Sequence, residues 1–349
     1  MVVGGDAIHG ESITRLGEEI AAGRHTPVPA AQRGGLREVS LTQRYIDRIV
    51  GDVKLARPMK IAIDCGNGVA GAVAPALFKA LGCEVTELFC EVDGTFPNHH
   101  PDPAHPENLQ DLIRCLAATD CEIGLAFDGD GDRLGVVTKK GGIIFPDRQL
   151  MLLAQEVLSR NPGGKIIYDV KCTRNLAGFV RAHGGVPEMC RTGHSLVKAR
   201  LKETGAPLAG EMSGHIFYKD RWYGFDDGLY AGARLLEILS RVADPSAMLE
   251  ALPDSPTTPE LQLRCAEGEH FALVDAIKRT ARFEGATEVI DIDGVRVEYP
   301  DGFGLARASN TTPVVVMRFE ADNAAALSRI QAQFRQAVLA VKPDATLPF

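Results

Sequence analysis

Asp128, Asp130 and Asp132 stand two residues apart in LAFDGDGDRLG, residues 125–135, with only glycine between them. Three carboxylates so close repel one another unless a cation lies among them. Gly129 and Gly131 let the backbone curl so that the three side chains can converge. Hard oxygen ligands of this kind suit Mg²⁺ or Ca²⁺. An EF-hand also opens D-x-D-x-D, but here its sixth position is Arg133 rather than glycine and its twelfth is Lys139 rather than glutamate. The bland alternative is a solvated acidic turn, which leaves the strict alternation and the following arginine without a reason.

Five more polar segments carry chemistry. GNGVAG spells Gly66-x-Gly68-x-x-Gly71 after the apolar run KIAID, and Glu91 follows about twenty residues on. That is the fingerprint of a dinucleotide site, so an NAD-dependent dehydrogenase is a rival reading; a glycine turn needed only for packing is the other. GEMSGH sets Glu211, Ser213 and His215 at alternate positions, and an extended chain would send all three to one side, toward a polyhydroxylated ligand. RASNTTP follows Arg307 with Ser309, Asn310, Thr311 and Thr312. The guanidinium can grip a phosphate bidentately and the turn amides can form a nest around it. DVKCTR offers Lys171, and RTGHS offers Thr192, Gly193 and His194. Each could alone be a surface or packing residue; their value lies in the set.

Elements must deliver these loops. SITRLGEEIAAG has Ile13, Leu16 and Ile20 at helical spacing, after MVV, which reads as the tail of a strand. LREVSLTQRYIDRIVGDV is helical, and residues 58–94 read strand, glycine turn, helix, strand, a βαβ unit with parallel pairing. A helix over PENLQDLIRCLAAT leads to the strand EIGLAF and the aspartate loop, then a hairpin turning at Gly141-Gly142. The alternation restarts with RQLMLLAQEVLSR, KIIYDV, LAGFVRAH, SLVKARLKE and APLAGE, then HIFYKDRWYG as a second hairpin and DGLYAGARLLEILSRV as a long helix. After PDSPTTPE, five strands flank two helices, an α+β unit with a mostly antiparallel sheet. The expected units are 1–40, 41–146, 147–253 and 254–349: α/β with tandem α/β/α domains followed by a C-terminal α+β domain.

The formal charge of −8 argues against a general nucleic-acid binder. No apolar stretch is long enough to span a bilayer, and MVVGGDAIHG lacks the basic and apolar regions of a signal peptide. Eight cysteines, none in a CxxC, several within apolar runs, fit buried thiols in a reducing compartment, so the expected location is cytoplasmic.

DGDGDR, DVKCT, TGHS, GEMSGH and RASNTTP, supported by DCGNGVAG and FPNHHPDP, occur in an order that resembles the α-D-phosphohexomutases, specifically the bacterial phosphomannomutase/phosphoglucomutase group. Met212 favours this group over the phosphoglucosamine mutases. The resemblance implies a four-domain enzyme around a central cleft that moves a phosphoryl group between O1 and O6 of mannose or glucose phosphates, through a phosphoserine and a bisphosphorylated hexose. It implies Asp128, Asp130 and Asp132 as Mg²⁺ ligands and Arg133 beside the transferred phosphoryl, with Lys171 and His194 close to the chemistry. Thr192, Gly193, Glu211, Ser213 and His215 would meet the sugar, and Arg307, Ser309, Asn310 and Thr311 the phosphate that does not react.

One element of the pattern is not in these 349 residues: the family's phosphoserine loop, approximately T-x-S-H-N-P. Ser195 belongs to the separate TGHS motif and is no substitute. The expectation is a chain that opens on the last strand and helix of the family's first domain and is impaired or inactive alone. Its uncovered face would pair with a separate first domain or self-associate; a non-catalytic sugar-phosphate binding module is the alternative.

Overall fold

The computed structural model describes residues 2–3, 6–8, 10–24 and 26–349. Three sheets carry the chain. The first orders its strands 84–88, 60–64, 123–127, 134–138 and 143–144; the first three are parallel and the last two antiparallel. The second runs 216–218, 208–210, 165–169 and 186–190, parallel except for its first strand. The third, 261–264, 314–321, 302–308, 295–299 and 288–290, is antiparallel at every pairing. No helix among the described residues is long and apolar enough to cross a membrane.

The two α/β units share one apolar core that runs from Ile46 to Leu252. Two helices make it continuous. Pro146–Arg160 buries most of its length, and Gly228–Leu239 buries every residue while packing on strands of both sheets. A helix buried all round must be apolar on every face, and GLYAGARLLEIL fits apart from Arg234 and Glu237. Arg234 is fully buried and is held by Glu156 at 2.8 Å and Asp220 at 3.0 Å. The C-terminal sheet has its own core with Glu269–Thr280 and Ala324–Val341 on one face.

Three readings of the sequence change. Val186–Cys190 (VPEMC) is a strand that the alternation did not announce, because Pro187 argues against one. Its place at the sheet edge is where a missing N–H is tolerated. HIFYKDRWYG is not a hairpin. Only Ile216–Tyr218 is a strand, and it pairs back on Leu208–Gly210, so the turn of that hairpin is GEMSGH itself. Val2–Val3 pairs antiparallel with Asp6–Ala7 and with no other strand among the described residues. The helix Glu11–Ala21 buries none of its residues and leaves Ile20 73% exposed.

Candidate active site

The strand Ile123–Phe127 ends at the aspartate loop, where Gly131 takes φ +81°. That turn brings carboxylate oxygens of Asp128, Asp130 and Asp132 within 4.8 Å of one another. Asp128 is buried. Its Oδ1 accepts the amides of Gly131 and Arg133 at 3.1 and 3.0 Å, and its Oδ2 accepts Arg133 Nε at 2.6 Å. Burial pushes the Asp128 carboxyl up to about 6, against the pull of Arg133. Asp130 is exposed. Three convergent hard oxygens, one of them on a buried carboxyl, fit a divalent cation such as Mg²⁺.

Two other segments brace the loop. Val69 N–H donates to Gly129 O at 3.0 Å, and Gly228 N–H, at the start of the buried helix, donates to Gly131 O at 3.1 Å. The glycine turn therefore serves packing. A Cβ on Gly68 would lie 2.8 Å from Gly129 O, one on Gly71 would lie 2.1 Å from Cys90 O, and Gly66 abuts Pro101 and His99. The glycines are thus taken up by contacts with this chain's own backbone at Gly129 and Cys90, and the second half of the motif, within Val69–Ala72, is a 3-10 turn rather than the start of a long helix. The dehydrogenase reading is overturned on that ground.

GEMSGH docks against the aspartate loop: Arg133 and His215 form an isolated antiparallel bridge, and Leu134 N–H donates to Gly214 O at 3.2 Å. The segment is a turn, not the extended run expected, with Gly214 at φ +106°. Its side chains converge nonetheless. His215 Nδ1 lies 2.8 Å from Ser213 Oγ and 3.2 Å from Glu211 Oε2, and its Nε2 lies 3.4 Å from Asp132 Oδ1. Burial alone would lower the His215 pKa, but hydrogen bonds to Asp132 and Glu211 push it up to about 9. Glu211 Oε1 also accepts the Gly193 amide at 2.6 Å, which ties TGHS to GEMSGH. His194 stacks on His215 at 5.7 Å and lies 3.1 Å from Asp226, a carboxylate shared with Lys198.

A cleft of about 510 Å³ opens between the three sheets, and Arg133, Lys171, Ser213, Ser309 and Thr311 line it. Lys171 is buried beside Glu260 at 2.9 Å. Burial disfavours its charge, but Glu260 and Asp169 outweigh burial and raise its pKa. Thr192, Gly193, His194, Glu211, His215, Arg307, Asn310 and the three aspartates stand behind or beside the lining rather than on it. The nest expected in RASNTTP is altered: the Thr311 and Thr312 amides both turn onto Ser309 Oγ at 3.3 Å, while Asn310 is exposed.

Four acids that the sequence reading assigned no role hold these parts together. Asp169, with no exposed surface, accepts Thr192 Oγ1 at 3.0 Å, Cys172 Sγ at 3.1 Å and the Met212 amide at 3.2 Å, so one carboxylate joins three loops. Asp293 accepts Thr192 N and Arg307 Nε, both at 2.9 Å, and links the second sheet to the third. Asp102 accepts Arg133 Nη1 at 2.9 Å, and Glu260 holds Lys171. Asp102 and Asp169 lie inside FPNHHPDP and DVKCTR, which was the only signal for them. From the third sheet, two buried arginines take the carbonyls around Lys171: Arg296 Nη1 donates to Val170 O and Cys172 O at 2.7 Å, and Arg318 Nη1 to Lys171 O at 2.5 Å.

Comparison with known proteins agrees with this arrangement. Three models of the phosphoglucomutase/phosphomannomutase family match in succession: alpha/beta/alpha domain II at residues 43–141, alpha/beta/alpha domain III at 145–255, and the C-terminal domain at 260–337. The chain is 60% identical over 349 residues to a phosphoglucomutase of Neisseria meningitidis, all of this chain and 75% of that protein. It is 52% identical over 350 residues to a phosphomannomutase/phosphoglucomutase of Pseudomonas aeruginosa, all of this chain and 74% of that one. A solved family protein from Burkholderia thailandensis superposes with a TM-score of 0.93 at 66% identity, covering 99% of this chain and 73% of that one. The braced aspartate loop, the joined sugar-side loops and these matches lead to one conclusion: the chain belongs to the phosphoglucomutase/phosphomannomutase family, the phosphohexomutase isomerases.

Proposed function

We propose that this chain performs, within a complete enzyme, the interconversion of hexose 1-phosphates and 6-phosphates of the glucose and mannose series, through a bisphosphorylated hexose. The observation that carries the reading is the cleft onto which Arg133, Lys171, Ser213 and Ser309 open from three different sheets. Such a site can hold one phosphate near the aspartate loop and the other near RASNTTP, with the sugar ring between.

Asp128, Asp130 and Asp132 would hold Mg²⁺, which when bound supplies neutralisation of charge on the transferred group. Arg133, fixed by Asp128 and Asp102, orients a phosphoryl oxygen beside it. Lys171 stays charged and donates to a sugar or phosphoryl oxygen. Ser213 presents its hydroxyl to the ring, with Glu211 and His215 beside it and His194, Thr192 and Gly193 behind, so that the sugar-binding face is held by this set. Arg307, Ser309, Asn310 and Thr311 hold the phosphate that does not react, once the Ser309 turn opens to receive it. A cytoplasmic location suits such substrates and the free state of all eight cysteines.

The phosphoryl donor in this reading is a phosphoserine, and the loop that would carry it does not occur in these 349 residues. Positioning cannot replace a nucleophile, so these 349 residues turn over little or nothing by themselves. The experiment is a coupled mutase assay on the pure chain, with glucose 1,6-bisphosphate and Mg²⁺, with and without a separately expressed first domain of a relative. Activity that needs the added domain supports the reading. Equal turnover without it shows that another residue of this chain is the nucleophile.

A further inference from the structure

Two thiols lie together just past the ends of two neighbouring parallel strands, outside the machinery described above. Cys65 follows the strand Lys60–Asp64, Cys90 follows its parallel neighbour Glu84–Leu88, and their sulfurs are 3.5 Å apart. Cys65 has no exposed surface, whereas Cys90 is half-buried. No other pair of thiols among the described residues approaches this closely in a recorded contact. We infer that Cys65 and Cys90 form a reversible disulfide with low-molecular-weight disulfides, making this pair a redox modification site wired to the metal loop.

The chemistry balances as two exchanges. Cys90 Sγ, the sulfur that solvent reaches, attacks one sulfur of a glutathione-type disulfide; a Cys90–S bond forms and one glutathione leaves as its thiol. Cys65 Sγ then attacks Cys90 Sγ, the protein disulfide forms, and the second glutathione leaves. Two protein thiols are oxidised, one small disulfide is reduced, and both protons end on the released thiols. The order follows from access. Cys65 has no exposed surface, so a small disulfide cannot reach it first, whereas the half-buried Cys90 is open to attack.

The link to function is steric. A disulfide draws the sulfurs from 3.5 Å to about 2.0 Å, and the closure is shared between the side-chain torsions and the chain at 65 and 90. Cys90 carbonyl packs on Gly71 and Gly68 packs on Gly129, each too close for a Cβ. Interiors this tight pass displacement on rather than absorb it. Val69 N–H, which donates to Gly129 O, lies between those two glycines.

The test treats the reduced chain with excess oxidised glutathione, then maps tryptic peptides by mass spectrometry. Cys65 falls on peptide 61–79 and Cys90 on 80–114, which also holds Cys83, so fragmentation must place the link. The expected product is a Cys65–Cys90 cross-link that forms about tenfold faster than glutathione adds to any other cysteine. C65S should trap glutathione on Cys90, and C90S should leave Cys65 unmodified. Free Cys65 and Cys90 in a wild-type chain whose other cysteines have reacted would overturn the inference, whether or not the variants fold. Amide exchange at Val69 should accelerate about tenfold in the oxidised chain; unchanged exchange would overturn the coupling to the loop. Neither readout depends on the mutase reading.

Discussion

The carboxylate of Asp169 accepts the hydroxyl of Thr192 at 3.0 Å from a position with no exposed surface, while its other oxygen receives Cys172 and Met212. One buried acid thus sets the relative position of DVKCTR, RTGHS and GEMSGH. Asp169→Ala leaves those donors without a partner, at about 1–3 kcal/mol for each buried group. The expected outcome is a loss of roughly 2–4 kcal/mol in urea unfolding, with calorimetric affinity for glucose 6-phosphate reduced as well. Asp169→Asn keeps an acceptor and a shape match and should lose less on both measures.

The glycines of GNGVAG make a contrasting pair with Gly232. Gly68→Ala places a methyl group 2.8 Å from Gly129 O, and backbone on both sides prevents an easy shift. About 1–3 kcal/mol of destabilisation is expected, together with weaker Mg²⁺ binding by calorimetry. Gly232→Ala, in the buried helix, meets nothing nearer than 3.4 Å, so thermal denaturation should find it neutral or up to about 1 kcal/mol more stable.

Asp130 separates metal binding from folding. Its carboxylate is exposed, so Asp130→Ala should change stability by less than about 0.5 kcal/mol. The same change should weaken Mg²⁺ binding about tenfold or more, because one of three hard oxygens is gone. Unaltered Mg²⁺ affinity in calorimetry would remove Asp130 from the ligand set.

Arg318 and Asp147 form a buried ion pair at 3.0 Å between the second and third sheets. Arg318→Met strands a buried carboxylate and frees the Lys171 carbonyl, so a loss of about 3–5 kcal/mol is expected. Adding Asp147→Leu should recover much of it, since the uncompensated charge is the main cost. Chemical denaturation of both single variants and the double variant provides the cycle.

Asp227 caps the buried helix by accepting Tyr230 N at 2.9 Å and also accepts the Tyr45 hydroxyl at 2.7 Å. Burial pushes its carboxyl up to about 6, above an unfolded value of 3.8. A raised carboxyl contributes stability that is full below the unfolded value and is lost as pH rises through the folded one. Asp227→Asn keeps the cap without the titration. Relative to wild type it should gain about 3 kcal/mol between about pH 3.5 and pH 7.5. A flat difference in urea midpoints across that range would contradict the buried-charge account.

The sequence by itself determined what depends on neighbours along the chain. Alternating aspartates and glycines announced a loop able to bring three carboxylates together, and apolar periodicity announced most helices and strands. GEMSGH and RASNTTP showed their chemistry as runs, although only the fold turned GEMSGH into a hairpin turn and closed RASNTTP onto Ser309. Val186–Cys190 escaped notice because a proline is acceptable at a sheet edge, and edge position is not a property of five residues. The tertiary structure alone decided which lone acids matter. Thr192 and Asp293 are 101 residues apart, Lys171 and Glu260 are 89, and Arg133 and Asp102 are 31. No local pattern selects such partners, because a carboxylate's worth comes from burial and from the donor that folding brings to it. The same reason separates the two readings of GNGVAG: its spacing allows a pyrophosphate, and the fold spends Gly68 on a close approach to Gly129.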